Sequence, residues 1–376
     1  MKVAVFFTWD YSLKTWNESG TINRELKFFK KMQNEKNIAF SFFTYGTGSD
    51  FKLGSKHNLS EIHPIYETSV YLKNKLLRIT SSVFLPFKLR KKLNNVDIVF
   101  QNQLLGSWIP ILIKHIYKKP LIIRTGYDML EFAKKDKKSS FIIFLYKILT
   151  SFAVKNCDYL TVTSEADLKR FKIKYPKYEK KFLLRPNWIE VDELNALTNR
   201  HTNKLLTVGR LVTQKNFSYL ISEFKNTESY LEIDIVGDGP DREKLIEEAK
   251  KQKVKLNLLG SLQNEDLLKL YKEYKFFIST SLFEGNPKSL LEAMGSGCIV
   301  IASKINNHVE IVSDLKNGFL FEIRNNNLLK KFELIYQNDE LIKTISKNAY
   351  LSVRETNSLD KSINLFFQDF EKTLAK

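Results

Sequence analysis

Short continuous runs of apolar residues recur along the whole chain, separated by stretches with helical periodicity. Runs without alternation are typical of strands covered on both faces, as in parallel sheets. Parallel strands need crossover connections, and the helical stretches between the runs can provide them. The pattern therefore predicts repeated βαβ units and an α/β fold. The predicted strands are residues 2–7, 38–45, 96–101, 121–125, 159–164, 205–209, 231–237, 256–260, 276–280, 299–303 and 319–322.

Charge divides the chain into two unlike halves. Residues 1–190 hold 34 Lys and Arg against 16 Asp and Glu, a formal charge of +18, whereas residues 191–376 hold 26 of each. The strand pattern also pauses within 187–203, and 376 residues suffice for two domains. We therefore predict one domain over 1–190 and another over 191–356, both doubly wound, Rossmann-like and facing across a cleft.

Composition excludes several other classes of protein. Hydrophobic residues make up 43% and charged residues 27% of the chain, which is typical of a globular protein. No stretch reaches the ~18 apolar residues of a membrane span, and the apolar start is too short for a signal peptide. Cys157 and Cys298 form no CxxC pair, so we predict two buried thiols in a reduced, cytoplasmic protein. The histidines have no metal-ligand spacing, and we assign none of them a catalytic role.

A glycine and two cations follow the first predicted strand of the second half. Gly209 permits a tight turn, and Arg210 and Lys215 place two charges at the strand end. Arg can bind a diphosphate with two hydrogen bonds, and Lys can act as a point charge. The segment predicts a diphosphate site, with a solvated basic loop as the alternative.

A second glycine turn follows the next predicted strand. Gly237-Asp238-Gly239-Pro240 leads from that strand into a helical stretch but lacks a complete G-x-G-x-x-G pattern. By itself it is compatible with a nucleotide-binding turn or with a plain tight turn.

Residues 284–297 combine two carboxylates with a predicted helix start. Asn286 is a preferred N-cap and Pro287 a preferred first helical residue. The free amides at such a start can bind an anion, and the carboxylates of Glu284 and Glu292 can accept hydrogen bonds from sugar hydroxyls. The alternative is a capped amphipathic helix with Glu292 on its solvent-facing side.

Taken in order, these segments resemble glycosyltransferase family 4, the retaining group 1 transferases with the GT-B fold. The carboxylates Glu284 and Glu292 match the E-x7-E motif of that family, and Gly209-Arg210 with Lys215 match its diphosphate-binding segment. The turn at Gly237 matches its glycine turn. The resemblance covers about residues 205–322 and implies two Rossmann-like domains that bind a nucleotide-sugar donor and an acceptor.

The resemblance also implies roles for individual residues. Arg210 and Lys215 would stabilise the leaving nucleoside diphosphate, Glu284 would bind donor-sugar hydroxyls, and Glu292 would bind the ribose diol. No side chain is assigned as nucleophile. The chain has no D-x-D sequence, so we expect no metal ion or other cofactor. The other implied donor-binding residues are Gly209, Gly237, Gly285, Asn286, Pro287, Lys288, Ser289 and Leu290.

The first half matches the family more loosely. Gly20 lies in a stretch similar to the family's glycine loop, and a final helix at about 357–376 is expected to return to the first domain. Many members have a His after the strand that corresponds to residues 121–125, and this chain has none there. Arg124, Tyr127 and Asp128 occupy that segment and are candidates for the acceptor side.

The basic half suggests an anionic partner. Residues 70–93 carry Leu72, Leu76, Ile79 and Val83 at helical spacing, with cations among and after them. Apolar anchors beside a basic cluster are typical of an interfacial segment, although such helices more often pack on their own sheet. A second basic patch precedes the apolar stretch 141–154. The cations of the two regions are Lys88, Arg90, Lys91, Lys92, Lys134, Lys135, Lys137 and Lys138.

These observations together predict a glycosyltransferase of bacterial surface-glycan synthesis, such as that of lipopolysaccharide, O-antigen or capsule. Its acceptor would be a glycolipid, a lipid-linked oligosaccharide or a polysaccharide, at the cytoplasmic face of the cell membrane. The chain lacks zinc-finger, RNP-type and glycine/arginine motifs, so nucleic acid is not the expected partner. The alternatives are a nucleotide-sugar epimerase of the same fold and a non-catalytic protein that binds sugar nucleotides or nucleic acid.

Overall fold

Every predicted apolar run forms a β-strand in the computed structural model, and the strands belong to two separate parallel sheets. The structure describes residues 1–59, 61–194, 197, 199–227, 229–336 and 338–376. Its two units are residues 1–185 with 363–376, and residues 186–362. The predicted boundary stretch 187–203 includes residues 195, 196 and 198, which lie outside the described residues.

The first unit is built on a seven-stranded sheet with the order β3-β2-β1-β4-β5-β6-β7. Its strands are β1 (Lys2–Phe6), β2 (Ala39–Thr44), β3 (Ile62–Pro64), β4 (Ile98–Gln101), β5 (Leu121–Arg124), β6 (Tyr159–Val162) and β7 (Phe182–Leu184). Its helices are α1 (Leu13–Glu18), α2 (Ile22–Lys36), α3 (Ser49–Lys56), α4 (Ile65–Thr68), α5 (Lys75–Ser81), α6 (Leu85–Leu93), α7 (Trp108–Tyr117), α8 (Met129–Lys135), α9 (Ser140–Asn156) and α10 (Glu165–Lys174).

The second unit is built on a six-stranded sheet with the order β10-β9-β8-β11-β12-β13. Its strands are β8 (His201–Val208), β9 (Glu232–Val236), β10 (Lys255–Gly260), β11 (Tyr274–Ser279), β12 (Ile299–Ser303) and β13 (Phe319–Phe321). The helices that follow β7 in the chain are α11 (Phe217–Glu223), α12 (Arg242–Lys251), α13 (Asn264–Tyr271), α14 (Lys288–Gly295), α15 (Asn306–Val309), α16 (Asn327–Tyr336), α17 (Asp339–Asn357) and α18 (Leu359–Leu374). From Ile363 onward, α18 belongs to the first unit.

Helices cover both faces of the second sheet, which explains its continuous apolar strands. Phe276 and Ile278 of β11 belong to one buried cluster, and the intervening Phe277 belongs to another. Because successive side chains of a strand point to opposite faces, the two clusters are the two faces of the sheet. The predicted α/β fold of two doubly wound, Rossmann-like sheets is therefore confirmed.

Two strands of the first sheet have no counterpart among the predicted runs. β3 and β7 are the two edges of that sheet and have three residues each. An edge strand of this length pairs on one side only and needs no long apolar run. Pro64 at the end of β3 is compatible with an edge, because proline cannot donate a ladder hydrogen bond.

The predicted interfacial segment 70–93 is not one continuous helix. It contains α5, a 3-10 turn at Ser82–Phe84, and α6. Of its four predicted anchors, Leu76 and Val83 are exposed, whereas Leu72 and Ile79 are half-buried. Arg78, which the sequence places among the flanking cations, is instead buried, because its guanidinium pairs with Asp10 at 2.7 Å. No helix within the described ranges has the length and apolar character needed to span a membrane.

Candidate active site

An ion pair between Lys215 and Glu284 lies at the centre of the second unit's predicted site. Lys215 ends a short 3-10 turn after β8, and Glu284 lies in the loop between β11 and α14. Lys215 Nζ donates to Glu284 Oε1 at 2.5 Å, and Ser281 Oγ donates to the same oxygen at 2.7 Å. Gln214 Nε2 donates to Oε2 at 3.4 Å. The two loops thus meet through one carboxylate at the strand ends, where parallel sheets bind ligands.

The Glu284 carboxylate is held in its ionised form. Burial alone would raise its pKa, but the charge and hydrogen bond of Lys215 together with the Ser281 hydroxyl lower it below the usual value. The nearby imidazole of His308 acts in the same direction. The site therefore presents a negative acceptor of hydrogen bonds next to a positive donor.

His308 is a buried neighbour of this pair that sequence reasoning left without a role. Its Nδ1 lies 2.8 Å from the carbonyl oxygen of Ser303 and its Nε2 lies 3.4 Å from Ser279 Oγ. Because a carbonyl oxygen only accepts, Nδ1 carries the hydrogen. Burial lowers the pKa of His308, which favours the neutral ring. It lies in the short helix α15, and the histidines of the chain have no metal-ligand spacing, so the sequence gave no signal for it.

The glycines of the two predicted turns pack backbone against backbone. Gly209 N donates to Val236 O at 2.9 Å, and Leu211 N donates to Asp238 O at 3.0 Å. A Cβ on Gly209 would lie 2.8 Å from Lys215 Cε, so the absent side chain leaves room for the lysine stem. The turn after β9 therefore supports the loop that carries Arg210 and Lys215.

Gly237→Ala is expected to destabilise the second unit by about 2 kcal/mol or more. Gly237 has φ +143°, and an added Cβ would lie 2.0 Å from the carbonyl oxygen of Gly209. Gly260→Ala is the matched control, since Gly260 also has a positive φ (+72°) but nothing within 4 Å of the added carbon. Urea unfolding followed by circular dichroism compares the two variants. Equal losses would contradict the proposed close contact of the turns.

Arg210 differs from Lys215 in its surroundings. Its side chain is exposed and makes no hydrogen bond or ion pair with any described residue. The same loop therefore holds one cation that is fixed by Glu284 and one that is available to a ligand.

The start of α14 differs from the predicted capping. The helix begins at Lys288, with Pro287 in the N-cap position and no side-chain cap, so Asn286 does not cap it. Asn286 Oδ1 instead accepts from Asn187 N at 2.8 Å, and Asn187 Nδ2 donates to Asn286 O at 2.6 Å. This double contact fixes the loop before the helix. The first turn of a helix presents backbone amides at its start, so the beginning of α14, at Lys288, Ser289 and Leu290, can bind an anion.

The remaining predicted donor-site residues lie around this helix. Gly285 is buried, and its carbonyl accepts from Asn307 Nδ2 at 2.6 Å. Glu292 is buried rather than on a solvent-facing side, and its Oε1 accepts from Asn264 Nδ2 at 3.2 Å. Lys288 Nζ lies 4.9 Å from the ring centre of Trp188. The asparagines at these positions carry no recognisable motif, so sequence reasoning missed them.

The four candidates for the acceptor side lie in the first unit. Gly20 has φ +69° and precedes α2, and Arg124 ends β5, where burial lowers its pKa against the opposing charge of Glu25. Tyr127 is exposed and contacts the ring of Phe132. Asp128 is buried and caps α8, accepting from Leu130 N at 3.0 Å and Glu131 N at 3.2 Å. The Asp128 carboxylate therefore has a structural role as the N-cap of α8.

Comparison with known proteins places these observations in a family context. Residues 193–352, all within the second unit, match the family described as glycosyl transferases group 1. The chain is 30% identical over 218 residues to an uncharacterized glycosyltransferase of Methanocaldococcus jannaschii, covering 52% of each protein. The chain thus spans about half the length of this relative.

Two longer matches concern glycan-building enzymes. The capsular polysaccharide biosynthesis glycosyltransferase CapH of Staphylococcus aureus is 26% identical over 302 residues, covering 76% of this chain and 79% of CapH. The second relative is the N-acetylgalactosamine-N,N'-diacetylbacillosaminyl-diphospho-undecaprenol 4-alpha-N-acetylgalactosaminyltransferase of Campylobacter jejuni. It is 24% identical over 304 residues, which cover 77% of this chain and 80% of that enzyme.

The fold also has a full-length counterpart. The crystal structure of HepE from Anabaena, in complex with UDP-glucose, superposes with a TM-score of 0.76 at 16% identity, covering 100% of this chain and 99% of HepE. At this identity the likeness concerns the fold, which is that of GT-B glycosyltransferases. Residues 193–352 thus match the glycosyl transferases group 1 family, and the relatives that match over more of the chain include glycosyltransferases.

Proposed function

We propose that the chain is a retaining glycosyltransferase that moves a sugar from a nucleoside-diphosphate sugar to an acceptor hydroxyl. The observation that carries the proposal is the mostly buried Lys215–Glu284 pair, in the same loop region as the unpartnered Arg210. An ammonium group has three donors, and Glu284 takes one from Lys215. Two donors therefore remain for diphosphate oxygens, and Arg210 adds its guanidinium.

In the proposed reaction, the bond between the anomeric carbon and the diphosphate oxygen breaks while the acceptor oxygen bonds to the same face of that carbon. The acceptor proton passes to the departing phosphate oxygen, so no side chain acts as a nucleophile. Arg210 and Lys215 stabilise the charge that develops on the diphosphate. Glu284 accepts from donor-sugar hydroxyls, Glu292 accepts from the ribose diol, and the first-turn amides of α14 bind phosphate. We expect no metal ion to take part.

The proposed acceptor is a lipid-linked or polysaccharide glycan of the bacterial surface. Support comes from the activities of the two longer relatives, one in capsule synthesis and one with a diphospho-undecaprenol acceptor. The formal charge of +18 in residues 1–190 fits an acceptor that bears phosphate. Gly20, Arg124 and Tyr127 remain candidates for contacts with it. We further propose that the protein works at an anionic membrane surface, on its cytoplasmic face.

The proposal predicts transfer from one nucleotide sugar of a screened panel. The donor is identified as the UDP-, GDP- or ADP-sugar that raises the thermal midpoint, because a ligand that binds only the folded state stabilises it. Transfer to lipid-linked acceptors is then followed by mass spectrometry, and NMR of the product is expected to show retained anomeric configuration. EDTA is expected to leave the rate unchanged, and Glu292→Ala to abolish or cripple it. Epimerised donor without transfer would favour the epimerase alternative instead.

A further inference from the structure

Helix α9 presents an exposed apolar stripe along one side. Its exposed large apolar residues are each 40–69% accessible to solvent. They recur at spacings of three and four residues, which places them on a single face of the helix. These residues, called here the α9 stripe, are Phe141, Phe144, Leu145, Ile148 and Phe152. An exposed apolar stripe over about three helical turns is unusual for a surface in contact with water alone.

The stripe lies in a layer of helices that carries further exposed apolar groups. α7 contacts both α6 and α9, and Tyr117 Oη donates to Pro86 O at 3.1 Å while His115 Nε2 lies 2.9 Å from Asn156 Oδ1. This layer also exposes Ile116 of α7, Phe87 of α6 and the preceding Phe84. Three neighbouring helices of the first unit therefore expose apolar side chains.

Charge along residues 137–156, which include α9, has one sign, and Asp136 lies just before them. Residues 137–156 contain four lysines and no Asp or Glu. Lys137 and Lys138 are exposed immediately before the helix, and Lys88 and Lys91 are exposed on α6. A second copy of the chain would bring like charges together, which opposes self-association through this face. An anionic bilayer offers both an apolar layer for the stripe and phosphate groups for the lysines.

We propose that α9 is the membrane-inserting element of this protein. It lies in the plane of an anionic bilayer with its stripe below the headgroups, and α6 contacts the same surface beside it. This assignment moves the principal anchor from the segment 70–93, where two of the four predicted anchors are half-buried, to a helix whose exposed residues share one face. The inference builds on the proposed membrane-linked acceptor, but membrane binding is measured separately from transfer.

Flotation of the full chain with vesicles tests the proposal. The protein is expected to float with phosphatidylcholine vesicles that contain phosphatidylglycerol, and to bind less in high salt. Phe144→Ser/Ile148→Ser is expected to lower the partition coefficient about tenfold or more, since binding scales with buried apolar area. Tyr230→Ser/Leu334→Ser removes two exposed apolar groups of the second unit and is expected to change nothing. Lys137→Glu/Lys138→Glu should reduce binding to the anionic vesicles only.

A fluorescent label keeps the test independent of how well the stripe variant folds. Both native cysteines are buried and their burial raises the pKa of each thiol to about 12, so a cysteine placed at Phe144 is labelled selectively. An environment-sensitive dye at Phe144→Cys is expected to shift to the blue with anionic vesicles, whereas the same dye at Leu334→Cys is not.

Two results would overturn the assignment. One is unchanged flotation of the folded stripe variant together with an unshifted Phe144→Cys label. The other is a concentration-dependent dimer, seen by analytical ultracentrifugation without vesicles, that the stripe variant abolishes. A chain that transfers sugar to a soluble acceptor but does not float would refute the α9 inference alone. A chain that floats but transfers nothing would refute the proposed function alone.

Discussion

Lys215→Ala is expected to lower kcat/KM for sugar transfer by about two to three orders of magnitude. Lys215 places a fixed positive charge beside Glu284. Its ammonium group has three N–H donors, and the ion pair uses one of them, so two remain for a ligand. In the proposed reaction they bind the departing diphosphate, where negative charge increases towards the transition state. The loss should therefore appear mainly in kcat, measured at saturating donor and acceptor.

The same substitution leaves a mostly buried carboxylate without its counter-ion. With Lys215 removed, burial raises the pKa of Glu284, and the effects of Ser281 and His308 that oppose this rise remain. The Glu284 carboxyl then binds its proton more tightly in the folded chain than in the unfolded chain. The variant should therefore lose stability as the pH rises from the ordinary glutamate range towards neutrality. A thermal-shift series from acid to neutral pH measures this difference against the wild-type chain.

A double variant separates the electrostatic role of Lys215 from its structural role. Lys215→Met/Glu284→Gln removes both charges and keeps two side chains of similar size, so stability is expected to return while transfer stays lost. Lys225→Ala, at an exposed lysine of the same unit, should leave both quantities unchanged. Recovery of transfer together with stability would show that Lys215 only supports the fold.

Much of the donor site could be predicted from the sequence, because its residues lie directly after predicted strands. Gly209, Lys215 and Glu284 belong to the loops after β8 and β11. These strands are parallel neighbours in the sheet, so a correct strand prediction also places their loops at the same edge. The partners that hold them are less accessible to such reasoning. Ser281, Asn264 and Asn187 contribute one or two hydrogen bonds each, and the distance and direction of these bonds depend on the folded loops. The capping prediction for Asn286 was wrong because a tertiary contact with Asn187 outcompetes the local one.

The fold was predictable wherever burial on both faces leaves a continuous apolar run. β11 and β12 each contain a continuous buried apolar run, Phe276–Ile278 and Ile299–Ala302, whereas the edge strands β3 and β7 have only three residues each. Surface exposure was harder to predict, since helical spacing identifies a face but not what covers it. The segment 70–93 and α9 both have apolar periodicity, and only the packed structure distinguishes the half-buried Ile79 from the exposed Phe144.

Asp369→Ala is expected to lower the free energy of unfolding of the first unit by about 3–5 kcal/mol. Asp369 of α18 is fully buried, and both of its carboxylate oxygens accept from Arg185, at 2.6 Å from Nε and 2.5 Å from Nη2. Removing the carboxylate leaves a guanidinium that is 11% exposed without its counter-charge. The helix is otherwise held by Phe366 and Phe370, whose rings contact Phe100 of β4 edge-on. We therefore expect the Arg185–Asp369 pair to be needed for stable packing of α18 on the first unit.

Tryptophan fluorescence during urea unfolding measures this loss, because three of the four tryptophans lie in residues 1–185. Glu18→Ala, which breaks an exposed pair with Lys14 in the same unit, is the matched control and should cost less than about 0.5 kcal/mol. Arg185→Met/Asp369→Leu should recover most of the stability, since a buried ion pair can be replaced by apolar groups of similar volume when both partners go. A small loss in Asp369→Ala would mean that aromatic packing alone docks α18. A large loss that the double variant repairs would show that the uncompensated Arg185 charge, rather than a missing contact, causes it.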